Sequence, residues 1–268
     1  MTGLTGRVGR TAATTLFASA VGGAALLVGE VIAARSRRYA KPTMGLALRT
    51  SMGPSGAPTL RLVLLGDSAA IGVGVEWLSE TVGGQLARLL AEGTPETGPR
   101  HVLLSSVGVA GSRSSDLATQ VARALLGDRP DVAVVLIGAN DATGLRSPED
   151  SADHLGIAVR RLRDAGVQVV VGTCPDLGAS RSMAQPLRQV TGWLGRRMSK
   201  AQIIAVEGAG GTVVDLAEET GAVFRADAGT LCYDGFHPSA DGYRVWAHAL
   251  YPAVFDAAQA AGRRSIQE

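Results

Sequence analysis

The stretch "DGFH" at residues 234–237 combines a carboxylate and an imidazole three positions apart, in a loop just before the last helical pattern. Pro238 follows directly and restrains the backbone of His237 to an extended conformation. In such a turn Asp234 can hold one ring nitrogen of His237, which leaves the other nitrogen to accept a proton from an alcohol. The alternative interpretation is a capping loop with an incidental histidine, because Ser239 is well placed to cap the helix that follows.

A suitable alcohol lies nearer the other end of the chain, in "LLGDSAAIGVGVE" at residues 64–76. The apolar run stops at Gly66, and Ser68 follows among small residues that would let a substrate carbonyl come close. Serine is a poor nucleophile at its own pKa, so Ser68 would depend on a base such as His237. The same residues also suit a helix cap. The glycines do not match GxGxxG, which argues against a dinucleotide cofactor.

Two further turns carry groups that could stabilise the negative charge of an acyl-transfer transition state. In "SSVGVAGSRSSDL" (residues 105–117), Gly108 and Gly111 allow backbone N–H groups to face a cleft without a Cβ in the way. In "LIGANDAT" (residues 136–143), the amide of Asn140 could donate to an oxyanion. Each pattern is also ordinary turn chemistry, so neither turn is decisive alone.

The elements between these turns would bring the four groups to one edge of a sheet. Apolar runs alternate with amphipathic helical patterns, and several runs are continuous Val, Leu and Ile, which is typical of parallel strands buried on both faces. This alternation predicts a doubly wound α/β sheet of five parallel strands, in which ligands bind outside the carboxyl ends of the strands. The predicted strands are residues 60–66, 101–107, 131–138, 167–173 and 222–226, and the predicted helices are residues 76–91, 115–126, 149–165, 186–219 with a break near 208–211, and 240–259.

In their order and placement these motifs resemble the SGNH (GDSL-type) serine hydrolase superfamily, over about residues 60–260. The resemblance implies a three-layer α/β/α fold with a flavodoxin-like sheet, and a serine esterase or lipase-like activity. It also implies Ser68 as the nucleophile, His237 as the general base and acid, and Asp234 as the group that orients His237.

The same resemblance implies an oxyanion hole made of the Ser68 N–H, the Gly111 N–H and the Asn140 side chain. Gly111 is preferred to Gly108 because its spacing from the strand matches the position of the family's glycine. One departure is Ala69, where the family usually has leucine. We expect this change to alter packing beside the nucleophile rather than to remove chemistry.

The leading hypothesis is therefore a carboxylic ester hydrolase that acts on short or medium acyl groups, on lipid esters or on acetylated glycans. The alternatives are an acyltransferase with the same triad and a non-catalytic, membrane-tethered binding protein on a hydrolase fold. The low aromatic content favours a modest acyl group. Trp77 and Trp193 are candidates for the acyl side of the site or, as is more usual for such residues, for the core.

Composition narrows the possible partners. The 268 residues carry a formal net charge of +2, so a nucleic-acid partner is not expected. The acids and histidines do not cluster at ligand spacing, so neither a metal nor another cofactor is predicted. Two cysteines, Cys174 and Cys232, make neither a disulfide scaffold nor a CxxC zinc motif. They are interpreted either as one bridge or as two small apolar residues.

The first 41 residues are predicted to be a separate unit, in which residues 11–29 are uncharged and long enough to cross a bilayer. Residues 11–34 are interpreted as a membrane anchor, a cleaved secretory signal or a helix packed on the domain. The first two interpretations place the protein at the membrane or in the cell envelope, and the basic residues that follow leave the sidedness open. Residues 42–59 are predicted to be a linker, residues 60–262 the hydrolase domain and residues 263–268 a tail.

Overall fold

The computed structural model describes residues 26–30 and 49–264, and it has helices on both faces of one sheet. The strands are β1 (Arg49–Met52), β2 (Thr59–Gly66), β3 (His101–Ser106), β4 (Val132–Leu136), β5 (Gln168–Gly172) and β6 (Thr212–Val214). The α-helices are α1 (Val82–Glu92), α2 (Leu117–Ala124), α3 (Ala139–Thr143), α4 (Pro148–Asp164), α5 (Leu187–Gly208), α6 (Leu216–Ala226) and α7 (Ala240–Arg264).

The sheet has the order β1-β3-β2-β4-β5-β6, with β1 antiparallel to β3 and the other five strands parallel. Without β1 this is the flavodoxin-like order, so the predicted doubly wound fold is confirmed. Every residue of β4 and β5 is buried, which explains why these strands are almost continuously apolar in sequence. The carboxyl ends of β2, β3 and β4 therefore lie side by side, and the turns that follow them meet at one edge.

Two apolar layers hold the helices against the sheet. Helices α1 and α7 cover one face, where Leu86 and Leu250 belong to the same buried cluster as Leu64 of β2. Helices α2, α4 and α5 cover the other face, where Val121 and Leu155 pack with the neighbouring strand residues. This is the predicted three-layer α/β/α arrangement, and it fixes the strand ends from both sides.

The prediction of five strands is wrong in two places. Residues 49–52 were assigned to the linker 42–59, but they form β1, which pairs with the edge of β3 over four residues. Residues 222–226 were predicted as the fifth strand, but they belong to α6. Leu216, Thr220 and Phe224 are buried at helical spacing, so their apolar pattern has the period of a helix.

The fifth parallel strand is instead β6, at residues 212–214, which were predicted as part of the helix 186–219, just after its break near 208–211. Three residues are too few to distinguish a strand period from a helical one, so periodicity could not find this strand. Asp215 marks the change from strand to helix, because its side chain accepts hydrogen bonds from the Ala217 and Glu218 N–H groups at the start of α6.

The interpretation of residues 11–34 as an anchor or signal falls almost wholly outside the described residues. Residues 26–30 are helical, and the Glu30 carboxylate accepts a hydrogen bond from the Leu187 N–H at the start of α5 over 3.0 Å. In the described part of the chain, no helix combines the length and the apolar character that a bilayer span requires. Placement at the membrane or in the envelope stays a prediction from sequence.

Candidate active site

Strand β2 ends at Gly66, a position that requires glycine. Gly66 has φ of +133°, and a Cβ there would lie 1.8 Å from the carbonyl oxygen of Leu136 on β4. That carbonyl accepts a hydrogen bond from the next N–H, of Asp67, over 3.1 Å. The chain then enters a short 3-10 turn, Ser68–Ile71. Ser68 is half-buried and stands immediately beyond the carboxyl edge of the sheet.

The loop before α7 holds a carboxylate and an imidazole in contact. The Asp234 Oδ2 atom lies 2.5 Å from Nδ1 of His237. The other oxygen, Oδ1, accepts hydrogen bonds from the Phe236 N–H (2.7 Å), the His237 N–H (2.9 Å) and the Cys232 thiol (3.1 Å). The first oxygen orients the ring while the second is held by the loop.

These hydrogen bonds also keep Asp234 ionised. Burial by itself would raise the pKa of this carboxyl. The hydrogen bonds from the His237 ring, the Phe236 N–H and the Cys232 thiol outweigh it and hold the pKa well below its usual value. Asp234 can therefore stabilise a protonated imidazole without itself taking the proton.

The histidine loop packs directly against the loop that follows Ser68. Gly74 in that second loop has φ of +109°, and a Cβ there would lie 2.4 Å from the Pro238 carbonyl oxygen and 3.3 Å from Cβ of His237. The buried Tyr243 of α7 adds a fixed link, because its hydroxyl donates to the Val73 carbonyl over 2.7 Å. The last helix and the first site loop are thus joined by hydrogen bonding as well as by close packing.

Ser68 and His237 line the same cavity, which has a volume of about 60 Å³. Apolar side chains make most of its wall, and they come from strand ends and from α6 and α7; Leu216, Phe224 and Trp246 are among them. The fold therefore brings Ser68 and His237, which are far apart in sequence, to the wall of one cavity.

Gly111 lies on the turn after β3 with φ of +81°, and a Cβ there would meet nothing within 4 Å. Among the described residues, neither its N–H nor that of Ser68 donates to another group. Gly108, the other glycine of this turn, is packed instead, with its Cβ position 2.8 Å from Cβ of Ala70. Gly111 lines an open depression that is separate from the apolar cavity.

Asn140 lies in the one-turn helix α3, at the carboxyl end of β4. Its Nδ2 atom donates to the Ser112 carbonyl over 3.0 Å and to Oδ2 of Asp67 over 3.4 Å. The amide therefore joins the Gly111 turn to the residue that precedes Ser68. Its neighbour Asp141 is buried and accepts hydrogen bonds from Ser114, through both N–H and hydroxyl, which fixes the same two turns to each other.

Sequence reasoning missed the residues that shape the cavity. Phe224 and Trp246 line it, although the first was assigned to a strand and the second was not singled out. The candidates for the acyl side or the core were Trp77 and Trp193. They are 66% and 50% exposed, so they do not belong to the core, and they do not line the cavity. The apolar spacing within α6 and α7 was the available signal, but it does not distinguish core from cavity wall.

The two cysteines are free thiols. Cys174 is buried and Cys232 is half-buried beside Asp234. The alternative of a bridge between them is therefore wrong. In the part of the chain that the structure describes, no three histidine, cysteine or acidic side chains are grouped so that they could hold a metal ion.

A family model for the GDSL-like lipase/acylhydrolase family matches residues 64–245, a span that includes all four turns. The chain belongs to this family. The resemblance to SGNH (GDSL-type) hydrolases, which the sequence motifs suggested, is confirmed.

A curated relative supports the assignment to the GDSL family. A GDSL-like esterase of Mycobacterium tuberculosis is 42% identical over 200 residues, which are 74% of this chain and 62% of the relative. The chain thus matches less than two thirds of that protein's length.

The solved structures show the fold. A lipase/acylhydrolase from Enterococcus faecalis is 20% identical, with a TM-score of 0.56 over 76% of this chain and 96% of the other. A member of the lipolytic G-D-S-L family from Veillonella parvula is 16% identical, with a TM-score of 0.54 over 71% and 96%. Both support the three-layer α/β/α architecture.

Asp67, the acid of the GDSL-type motif, is an unfavourably buried carboxyl. It is 4% exposed, and burial raises its pKa to about 6, against hydrogen bonding from the Ala69 N–H and the attraction of His237. A raised folded-state pKa means that the protonated form is favoured in the native state. The contribution of this carboxyl to the free energy of unfolding is therefore fully present below about pH 4 and is lost as the pH rises through about 6.

Replacing Asp67→Asn should increase stability above pH 6, because the neutral amide keeps an acceptor for the Ala69 N–H and removes the cost of a buried charge. It loses only the long 3.4 Å bond from Asn140. The shift from 3.8 to about 6 sets an upper limit of about 3 kcal/mol on the gain in the free energy of unfolding. Urea unfolding of both proteins at pH 8 and pH 4 measures it. A gain of equal size at both pH values would contradict the assignment of the cost to ionisation.

Proposed function

We propose that this protein hydrolyses carboxylic esters of short acyl groups through an acyl-enzyme formed on Ser68, with His237 as base and Asp234 as its orienting partner. The observation that carries the proposal is the imidazole of His237, held through Nδ1 by Asp234, on the wall of the same cavity as the serine. The relative in Mycobacterium tuberculosis, which is named as an esterase, supports ester hydrolysis as the reaction class.

In the first half of the reaction, Nε2 of His237 takes the proton of the Ser68 hydroxyl as its oxygen attacks the ester carbonyl carbon. The carbonyl π electrons move to the oxygen, which becomes an oxyanion, and the imidazolium is stabilised by the ionised Asp234. When the tetrahedral intermediate collapses, the bond to the alcohol oxygen breaks and His237 returns the proton to it. Water then attacks the acyl-serine by the same steps, releasing the acid and restoring the serine.

The oxyanion is proposed to be stabilised by the N–H groups of Ser68 and Gly111 and by the amide of Asn140. What supports this role is that the two backbone donors have no acceptor among the described residues. The Asn140 amide donates to the Ser112 carbonyl and, over a long 3.4 Å, to Asp67 beside Ser68, so it would exchange this second bond for the oxyanion. Backbone donors that are already in place when charge develops contribute strongly to catalysis of this kind.

The acyl group is proposed to occupy the apolar cavity, which limits its length. Its volume of about 60 Å³ and its mostly apolar wall favour a short acyl chain. Phe224 and Trp246 are each 5% exposed, and their ring centroids lie 5.8 Å apart, so this part of the cavity wall is closely packed.

Ser68→Ala should reduce hydrolysis of p-nitrophenyl acetate by about 10⁴-fold or more, since loss of the nucleophile removes the covalent route. Turnover is measured together with labelling by a fluorophosphonate probe and with the melting temperature. The melting temperature should stay within a few degrees, because the residue is only half-buried.

Ser115→Ala is the matched control, since Ser115 is an exposed serine on the neighbouring turn. It should keep both turnover and labelling. Unchanged turnover in the Ser68 variant, or labelling of that variant by the probe, would remove Ser68 as the nucleophile.

Ala179→Leu should shift the acyl preference toward acetate, because Ala179 is 7% exposed and lines the cavity. The added carbons would occupy space that a longer acyl chain needs. We expect kcat/KM for p-nitrophenyl butanoate to fall about tenfold or more relative to the acetate, since one methylene of lost room is worth about 1–3 kcal/mol. The acetate rate in the same variant is the internal control, and an equal fall for both esters would contradict the cavity as the acyl site.

A further inference from the structure

Gln120 is a buried amide that touches the serine strand at its last residue. It lies on α2 and is 2% exposed. Its Oε1 atom accepts from the Gly66 N–H over 2.7 Å, and its Nε2 donates to the Gly66 carbonyl over 2.9 Å. One side chain therefore satisfies both backbone groups of the glycine that stands two residues before Ser68. These bonds add to the pairing of Gly66 with Leu136 of β4 and to the hydrogen bond that its carbonyl accepts from the Val109 N–H.

The same amide nitrogen also reaches the second turn of the site. Gln120 Nε2 donates to the Ser112 hydroxyl over 3.1 Å, and Ser112 follows Gly111 directly. The Ser112 carbonyl accepts from Asn140, and Asn140 donates onward to Asp67, the residue after Gly66. Together with the covalent chain through Ser112 and from Gly66 to Asp67, these hydrogen bonds form a closed ring.

The ring passes next to each of the three proposed oxyanion donors. Its members are Gly66–Asp67 before Ser68, Ser112 after Gly111, and Asn140 itself. Gln120 is the only member of the ring that does not lie on one of the three turns. It reaches two of them, at Gly66 and Ser112, from helix α2. A displacement of about 1 Å in such donors is enough to cost about 100-fold in rate.

We propose that Gln120 is a positioning residue for the oxyanion hole, which sets the distance between the Ser68 turn and the Gly111–Asn140 side of the site. The inference rests on the proposed function. Because oxyanion contacts form fully only in the transition state, losing their alignment should lower kcat and leave KM nearly unchanged.

Gln120→Met is the direct test, since methionine keeps the length of the side chain and removes every hydrogen bond. We expect kcat for p-nitrophenyl acetate to fall about 10- to 100-fold, with KM within about twofold. Affinity for an alkyl boronic acid, which would bind Ser68 as a tetrahedral anion, should fall by a similar factor. Ser112→Ala removes only the link to the Ser112 hydroxyl, so it should fold readily and show a smaller fall in kcat.

Val121→Ala is the control for stability. Val121 is the next residue on the same helix and is fully buried, so its truncation leaves a cavity without touching the ring. It should lower the melting temperature and leave kcat within about twofold. If Val121→Ala and Gln120→Met lose kcat equally at equal stability, Gln120 has a structural role only and the proposal is wrong.

A double variant tests whether Gln120 acts through the donor. In an Asn140→Ala background, Gln120→Met should cost clearly less kcat than in the wild-type protein, because part of its effect has already been removed. Fully additive losses would contradict the proposal.

A readout that does not depend on turnover separates this inference from the proposed function. The side-chain amide resonances of Asn140, identified by their loss in Asn140→Ala, should shift in Gln120→Met and stay in place in Val121→Ala. If the wild-type protein cleaves no ester, the proposed function fails while this measurement still tests the ring. Unshifted Asn140 resonances in Gln120→Met would overturn the ring whatever the activity.

Discussion

The contact between Asp234 and His237 is the constraint that the site depends on. A carboxylate has two oxygens, and here one of them is committed to backbone N–H groups of its own loop while the other meets the imidazole. The loop backbone therefore fixes the rotation of the carboxylate, and the carboxylate fixes the ring. The remaining nitrogen is free to face the cavity where Ser68 stands. Without the hydrogen bonds from the Phe236 and His237 N–H groups, the Asp234 carboxylate could rotate and would no longer fix the orientation of the imidazole.

The end of strand β2 in the sheet positions Ser68, and the same packing lowers stability by burying Asp67. Packing the strand end so tightly that only glycine fits at position 66 forces the next residue, Asp67, into the interior. A carboxyl there is poorly solvated, and its pKa rises to about 6 for that reason. Residues at sites of this kind are commonly worse for stability than the alternatives would be. The native state tolerates the charge because Ala69 and Asn140 supply donors to its two oxygens.

Much of this could be predicted from sequence, and the successes share a physical reason. Strands buried on both faces are nearly continuous Val, Leu and Ile, so β2, β4 and β5 were recognisable, and the turns after parallel strands must meet at one edge. The pairing of Asp234 with His237 needed only local geometry, three residues apart with a proline after them. The roles of Ser68, Gly111 and Asn140 remain predictions, supported by where the structure places these residues.

What the sequence could not show depends on contacts between distant segments. Strand β1 exists because β3 offers an unpaired edge, which no property of residues 49–52 reveals. Gln120 reads as one more polar residue on an amphipathic helix, and only the fold shows that it faces inward to Gly66. Phe224 was misread as part of a strand because five residues cannot separate a helical from an extended period.

The hydroxyl of Tyr243 links the last helix to the loop beyond the serine, and this has a bearing on how the protein is made. Ser68, the proposed nucleophile, leaves the ribosome long before His237 and the helix that follows it. Because domains generally fold as units, the proposed nucleophile and base can meet only once α7 has been made and has packed against this loop.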